Sequence, residues 1–212
     1  MRIYERNGKK YLSVTSLVDL RYPFESVGFE QWAWSHGFDP LWITKESGKL
    51  GERYHAYAEN RHYGIGWADV VETDKDRKYL EAVNKFFEDG WEILSSEVEV
   101  YNESFRYAGR FDMILKNDKL KIKRALGDFK TYGAWKGGKY KRDAKKLEKL
   151  SMQLTLYEEA LGEKLPKVGV ILGGDGKYNL EDIPVDDSVW EWLEENKEVI
   201  DKLIKDNDVS RR

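Results

Sequence analysis

The spacing of apolar residues changes twice along this chain, and these changes constrain its fold more than any other feature. Residues 91–101, 105–116 and 119–130 alternate apolar and polar positions, which is the pattern of strands with one buried face. Residues 141–161 then place apolar side chains at helical spacing. Three strands followed by a helix predict a sheet that packs against helices.

The segments on either side extend this prediction. Asn7-Gly8 predicts a hairpin across residues 2–14, and Thr15 or Ser16 is the expected cap of a short helix. The remaining predicted elements are helical segments at 29–36, from Asp39-Pro40, at 47–62 and at 74–89, a strand pair at 168–172 and 177–185, and one helix from Asp186 or Asp187 onward.

This order of elements predicts an α/β protein with a central mixed β-sheet flanked by helices and with a helical N-terminal part. A chain of 212 residues suits one domain. Within that domain, 1–212, we expect a mainly helical part at 1–90, a sheet core that carries the candidate site at 91–185, and a C-terminal helix at 186–212.

The absence of cysteine excludes several kinds of site. The chain can form no disulfide, no thiolate zinc site, no cysteine-ligated iron–sulfur cluster and no cysteine nucleophile. No apolar run approaches the roughly 18 residues that a membrane span needs, and no apolar signal-peptide core follows Met1. We therefore expect a soluble, cytoplasmic protein without a membrane partner.

Positive charge is concentrated in one segment of a chain whose formal net charge is only -3. Residues 116–149 hold 13 Lys and Arg against 4 Asp and Glu, which gives this segment a net charge of +9. Such a segment favours a polyanion as partner. A solvated helix face explains the charge equally well.

Two acidic residues lie where the strand pattern predicts burial. Because an unpaired buried carboxylate is costly, Asp112 and Asp128 need a cation or a metal beside them. Asp128 and Lys130 share one strand face, while Phe129 faces the core. A carboxylate beside an ammonium suits phosphodiester hydrolysis, in which the acid holds a divalent metal and the lysine orients the attacking water. A surface ion pair is the plainer interpretation of Asp128 and Lys130 alone.

Two helical patterns accompany these acids. Gln153 and Tyr157 are four residues apart on a predicted helix, so both can point at the same site. His55 shares one face of an upstream helix with Glu59 and His62. We favour His55 as a metal ligand and interpret Glu59 and His62 as ordinary surface or rim residues.

Taken in order, these motifs resemble those of the RecB-type nucleases of the PD-(D/E)XK superfamily. Gly109 to Asp112 looks like the family's G-x-x-D strand, and Asp128 to Thr131 looks like its (D/E)-x-K-T strand. Gln153 and Tyr157 match the Q-x-x-x-Y helix that marks this branch, and His55 is similar to its upstream histidine. The set covers the chain from His55 to Tyr157.

The resemblance implies a restriction-endonuclease-like core and a metal-dependent deoxyribonuclease. It implies one or two Mg²⁺ or Mn²⁺ ions, held by His55, Asp112, Asp128 and the backbone carbonyl of Phe129. The iron–sulfur members of this group use cysteines, so no iron–sulfur cluster is expected here.

The resemblance also assigns catalytic roles. Lys130 corresponds to the lysine that positions or activates water, beside the acids Asp112 and Asp128. Gln153 and Tyr157 support the site. The strand before G-x-x-D carries a further acid in phage and prokaryotic members, and that acid matches Glu97 better than Glu99.

RecB-type relatives are mostly exonucleases or end-processing nucleases in recombination, repair or phage replication. The implied partner is therefore DNA, as single strands or duplex ends, together with a helicase or recombination protein in trans. The residues expected to contact DNA are Trp135, Lys136, Lys139, Lys141, Arg142, Lys145 and Lys146. We expect Trp32, Trp34 and Trp42 to pack in the core rather than to stack on bases.

One feature of the strand pattern opposes a shared site. A tight turn at Asn117-Asp118 would pair Asp112 with about residue 123, not with Asp128. A bulge, a longer loop or divergence of the strands is required to bring the two acids together.

Two other functions fit the same sequence. The first is a non-catalytic nucleic-acid-binding module on the same fold, although the complete set of two acids and a lysine argues against it. The second is a protein-interaction subunit whose basic segment docks an acidic partner. Fold alone does not decide among these functions.

Overall fold

The computed structural model of this protein describes residues 1–23, 26–63, 74–131, 135–136, 139–140 and 143–209. The helices are α1 (Val14–Arg21), α2 (Ser26–Ser35), α3 (Pro40–His62), α4 (Asp74–Glu88), α5 (Ala144–Leu161), α6 (Ser188–Glu195) and α7 (Lys197–Val209). The strands are β1 (Ile3–Arg6), β2 (Lys9–Ser13), β3 (Trp91–Asn102), β4 (Tyr107–Asn117), β5 (Ile122–Lys130), β6 (Trp135–Lys136), β7 (Lys139–Tyr140), β8 (Lys167–Leu172) and β9 (Tyr178–Asp182).

Within the described ranges, seven strands form one mixed sheet against which the helices pack. Its hydrogen-bonded order is β1-β2-β4-β5-β8-β9, and β3 also pairs with β4. β2 runs parallel to β4 and β5 runs parallel to β8, whereas the other pairs in this sheet are antiparallel. The predicted α/β class, with a mixed sheet flanked by helices, is confirmed.

One edge of β4 is shared by two strands, β2 and β5, which leave a gap between them. Strand β3 pairs with one edge of β4 along its whole length. On the other edge, β2 pairs with Tyr107 and Ala108, and β5 pairs from Met113 onward. Between them, the edge from Gly109 to Asp112 has no strand partner among the described residues. This gap lets side chains in the middle of the sheet reach an open cavity.

Apolar side chains cover both faces of the sheet. One core lies against α1, α5, α6 and α7 and includes Leu17, Leu150 and Leu193. The other lies against α3 and α4 and includes Tyr57 and Phe86. Each such side chain contributes about 1.5–3 kcal/mol when it is fully buried, so the two cores fix the helices on the sheet.

Helix α3 is one helix of 23 residues where the sequence predicted two segments. Asp39 caps it by accepting a hydrogen bond from a backbone N–H in the first turn, and Pro40 lies where its missing N–H costs nothing. Gly48 and Gly51 lie inside the helix without interrupting it. As a result, His55 stands on a long, regular helix that packs on the sheet.

Two other boundaries differ from the prediction. Helix α1 is capped by Ser13, whose Oγ accepts a hydrogen bond from the Ser16 N–H, so neither Thr15 nor Ser16 is the cap. The predicted single C-terminal helix is two helices, α6 and α7. Asn196 separates them with φ −103° and ψ 9°, and its side chain donates a hydrogen bond to the Trp192 carbonyl. Asparagine favours such local hydrogen bonds over a continued helix.

The expectation that Trp32, Trp34 and Trp42 pack in the core is wrong. Their exposed fractions are 49%, 65% and 57%. Trp32 and Trp34 lie on α2, which packs against α3, and Trp42 lies in the first turn of α3. Phe38 and Leu41 are also exposed in the same region, which makes it an aromatic, apolar surface.

Within the described ranges, no helix is both long and apolar enough to cross a membrane.

Candidate functional site

The hairpin between β4 and β5 brings the two predicted acids together. Met113 pairs with Gly127, and extending that register by one residue places Asp112 opposite Asp128. The turn leaves four residues between the strand ends, and a further irregularity lies between Leu115 and Asn117. A tight turn would have paired Asp112 with residue 123. The longer loop and this irregularity together shift the register by five residues, to Asp128.

Asp112 lies at the gap in the sheet. Its neighbour Phe111 belongs to the core under α5, whereas Met113 belongs to the core under α3 and α4. The side chains on either side of Asp112 therefore enter opposite cores. The Asp112 side chain is 17% exposed, so solvent reaches it through the gap.

Asp128 and Lys130 project together from the end of β5, as predicted. Lys130 Nζ lies 2.5 Å from Asp128 Oδ2. Gln153 on α5 donates a hydrogen bond of 3.3 Å to Asp128 Oδ1. Phe129 between them is buried in the opposite core, which confirms its predicted direction. The Asp128 side chain is only 1% exposed, so these two partners fix its orientation.

His55 reaches the same acids from α3. Its Nδ1 lies 3.1 Å from Asp112 Oδ2, and its Nε2 lies 3.0 Å from the Phe129 carbonyl oxygen. The four atoms that the resemblance implies as metal ligands therefore belong to residues that contact one another. The structure brings together His55, Asp112, Asp128 and Phe129 from three separate elements.

The electrostatics of the site are governed by two neighbouring carboxyl groups, those of Asp112 and Asp128. Burial raises the pKa of Asp112 well above its usual range, and the neighbouring Asp128 carboxylate raises that pKa further. Burial also lowers the pKa of His55, which keeps the imidazole neutral. Burial therefore disfavours the charged forms of Asp112 and His55, and the Lys130 ammonium lies beside Asp128.

The donor set fits a divalent cation. Asp112 Oδ2 and Asp128 Oδ2 are buried, and neither accepts a hydrogen bond of regular geometry in the described part of the chain. Carboxylate and carbonyl oxygens suit Mg²⁺ and Mn²⁺, and a neutral imidazole can join them. Among the described residues, no group of three or more His, Asp or Glu side chains is placed so that it could hold a metal ion by itself. The two carboxylates and the backbone carbonyl are therefore the core of the fit.

Tyr157 and Gln153 form the wall of the site on the α5 side. Burial raises the pKa of the Tyr157 hydroxyl, and Gln153 hydrogen-bonds to that hydroxyl. Gln153 therefore connects Tyr157 to Asp128. The tyrosine ring lies against Gly109, where a Cβ atom would come within 2.5 Å of Tyr157 Cε1. The glycine of G-x-x-D is required here because the tyrosine ring occupies the space of a side chain.

We expect Gly109→Ala to destabilise the protein by about 1–3 kcal/mol, because the added methyl group collides with Tyr157 and Val14. Gly51→Ala is the matched control, since a Cβ there meets nothing within 4 Å and Gly51 lies inside α3. That change should stabilise by about 0.5–1 kcal/mol. Urea unfolding of both variants checks the pair, and equal free energies of unfolding would refute the close packing of Tyr157.

Glu97 lies beside Asp112 and forms an ion pair with Arg110. The register of β3 on β4 places Glu97 opposite Asp112. Its φ of 55° lies in the left-handed region, which costs a residue with a side chain about 1–2 kcal/mol. Burial raises the pKa of Glu97, while Arg110 acts in the opposite direction. Glu97 is therefore near the two acids, in contact with a cation.

Two residues of this neighbourhood, Glu59 and Arg110, received no role from the sequence motifs. Glu59, interpreted as a surface or rim residue, lines the same small cavity as His55 and Asp112. Its spacing of four from His55 was the available signal. Arg110 occupies a variable position of G-x-x-D, so nothing in the motif marked it.

The residues expected to contact DNA are described only in part. Lys141 and Arg142 lie outside the described residues. Trp135, Lys136, Lys139 and Tyr140 belong to the short strands β6 and β7, of which the structure describes the backbone pairing. Lys145 and Lys146 stand in the first turn of α5, where Lys145 is exposed and Lys146 lies 3.7 Å from the Asp143 carboxylate.

The site opens into a cavity of about 260 Å³ at the gap in the sheet. Its walls include Asp112, Lys130, Gln153 and Tyr157, together with Arg110. A cavity that contains acids, a lysine and an arginine can hold a cation and an anion side by side.

No protein-family model matches the chain, and neither does any curated protein.

Proposed function

We propose that this protein is a metal-dependent deoxyribonuclease with the PD-(D/E)XK fold, of the RecB type. The observation that carries the proposal is the register that sets Asp112 opposite Asp128 at a gap in the sheet, with Lys130 against Asp128. Asp112 and Lys130 line one cavity and Asp128 contacts Lys130, which is an arrangement suited to metal-assisted hydrolysis of a phosphodiester. An α/β protein with such a cavity can also catalyse other reactions. A requirement for Lys130 and for a divalent metal would distinguish a nuclease from these.

Asp112, Asp128, His55 and the Phe129 carbonyl would hold one or two Mg²⁺ or Mn²⁺ ions. A bound ion would supply a water of lowered pKa and offset the charge that develops on the phosphate. Asp112 would be ionised as a ligand, since metal ligands must be deprotonated, so its raised pKa would weaken metal binding at low pH. Neutral His55 is already in the state that a ligand needs.

The other residues would orient the reacting groups. Lys130 would donate hydrogen bonds to the attacking water or to the phosphate, because its Nζ is held at the rim of the cavity. Gln153 would fix Asp128 through the hydrogen bond between them. Tyr157 would act as a hydrogen-bond donor and not as a base, because burial keeps its hydroxyl protonated.

An exonuclease or end-processing role in recombination, repair or phage replication is the specific form that we propose. The exposed rings of Trp32, Trp34 and Trp42 support a substrate with unpaired bases, on which aromatic side chains can stack. Of these rings, Trp42 lies on the same helix as His55, α3, whereas Trp32 and Trp34 lie on α2. A helicase or recombination protein acting in trans would supply such DNA.

The test is cleavage of end-labelled linear DNA and closed circular DNA, single- and double-stranded, with Mg²⁺, Mn²⁺ or EDTA. Cleavage that requires metal and spares circles supports the exonuclease. Metal-dependent cleavage of closed circular DNA would show that the protein is an endonuclease instead. Salt-sensitive binding without cleavage would indicate a binding module instead, and neither binding nor cleavage would leave the protein-interaction subunit.

A further inference from the structure

Arg110 stands between two cavities next to the candidate site. The cavity of about 260 Å³ contains Arg110 together with Asp112 and Lys130. A second cavity, of about 460 Å³, lies along α3 and contains Arg110 together with His55. The Arg110 side chain is 45% exposed, so a ligand in either cavity can reach it.

Glu97 is the ion-pair partner of Arg110 in this structure. Its carboxylate forms an ion pair with the Arg110 guanidinium, and Glu97 lines both cavities as well. Two costs oppose this position of the Glu97 carboxylate. Burial raises its pKa, and the backbone of residue 97 adopts an unfavourable left-handed conformation. Glu59 is a further negative neighbour. Residues held in strained backbone conformations cluster at functional sites, because the surrounding structure has to enforce them.

A nucleic acid strand that enters this region meets a surplus of negative charge. Asp112, Asp128, Glu97 and Glu59 all lie near its path. Lys130 is already next to Asp128, so it neutralises that acid first. A guanidinium binds a phosphate through two parallel hydrogen bonds, in the same geometry as a carboxylate. Glu97 and a substrate phosphate would therefore compete for the same partner.

We propose that Arg110 binds a phosphate next to the one that is cleaved, and that Glu97 holds Arg110 in place until this phosphate displaces it. The inference rests on the proposed nuclease function and adds a binding site for the phosphodiester backbone. In this arrangement Glu97 is a positioning residue for Arg110, not a ligand of the metal. The left-handed backbone at residue 97 serves to aim its carboxylate across the strand at Arg110.

The experiment measures binding of a labelled single-stranded oligonucleotide at several NaCl concentrations, with Ca²⁺ as the metal. Arg110→Ala should weaken binding about 10- to 100-fold, as expected for loss of a charged hydrogen-bonding group. The slope of log K against log salt should become shallower by about 0.7, which corresponds to one phosphate contact on a single strand. Arg124→Ala is the matched control, because Arg124 is equally exposed and also pairs with a glutamate, Glu163.

Glu97→Gln separates this account from a metal-ligand role. We expect it to tighten binding several-fold and to lower KM in Mn²⁺, because Arg110 no longer has a competing carboxylate. In the Arg110→Ala background the same change should have a much smaller effect, since the two residues act mainly through one contact.

Three results overturn the inference. An unchanged salt slope for Arg110→Ala would show that Arg110 contacts no phosphate. Loss of both cleavage and metal binding in Glu97→Gln would make Glu97 a metal ligand. If the wild-type protein neither binds nor cleaves nucleic acid, the proposed function fails as well, and this outcome is distinct from the other two.

Discussion

Lys130→Ala should reduce metal-dependent cleavage by about 10²- to 10⁴-fold while the protein stays folded, because the variant loses the group that orients water or stabilises charge. The matched control is Lys116→Ala. Lys116 is similarly exposed, at 29% against 23% for Lys130, and it also pairs with an aspartate two residues away, Asp118. Single-turnover cleavage at saturating Mn²⁺ measures both variants, and circular dichroism monitors their folding.

The control matters because surface lysine pairs contribute little to stability, about 0–1 kcal/mol. Lys116→Ala should therefore cleave within a few-fold of wild type. Equal activity of wild type and both variants would show that Lys130 is an ordinary ion pair, as its spacing from Asp128 alone allows. A similar loss in both variants would point to a general effect of charge rather than to a catalytic lysine.

Asp112→Asn should stabilise the metal-free protein and inactivate it at the same time. The substitution removes one of two buried carboxyls that oppose each other, which we expect to add about 0.5–2 kcal/mol in EDTA. For a domain of this size each kcal/mol corresponds to about 2–4 °C in Tm. Cleavage should fall about 10³-fold or more, since a charged metal ligand that supports several kcal/mol of transition-state stabilisation is lost.

The pH dependence of this gain has a defined sign. Because the pKa of Asp112 is raised in the folded protein, the folded state holds a proton that the unfolded state has already released. Wild-type stability should therefore fall as the pH rises from about 4, the unfolded value, to the raised folded value. Asp112→Asn should lack this decline. Parallel stability curves for the two proteins in EDTA would contradict the burial of two opposed acids.

Added Mn²⁺ should reverse the order of stability. An ion that binds only the folded state stabilises wild type in proportion to the logarithm of its concentration. Asp112→Asn should gain much less, so wild type should overtake it as Mn²⁺ rises. Equal gains in both proteins would place the metal elsewhere.

The sheet and its helices could be predicted because their apolar periods are strong. The alternation in β3, β4 and β5 and the helical spacing in α5 are local patterns that packing then confirmed. The continuity of α3 and the break at Asn196 depended on weaker local preferences. The exposure of Trp34 depended on where α2 packs, which no residue spacing records.

The candidate site could be proposed from its residues, but its geometry could not be predicted. Motif order identified Asp112, Asp128 and Lys130 before any fold was known. Their meeting depended on the length of one turn and one irregularity in the register, and neither has a sequence signature. Arg110 was missed because its role depends on what faces it across the strand.

The most direct test of the account is anomalous diffraction from crystals soaked in Mn²⁺. We expect a Mn²⁺ peak bounded by the Asp112 and Asp128 carboxylates, the Phe129 carbonyl oxygen and His55. A crystal with no such peak, at a Mn²⁺ concentration that supports cleavage in solution, would contradict it. A peak at a different group of residues would do the same.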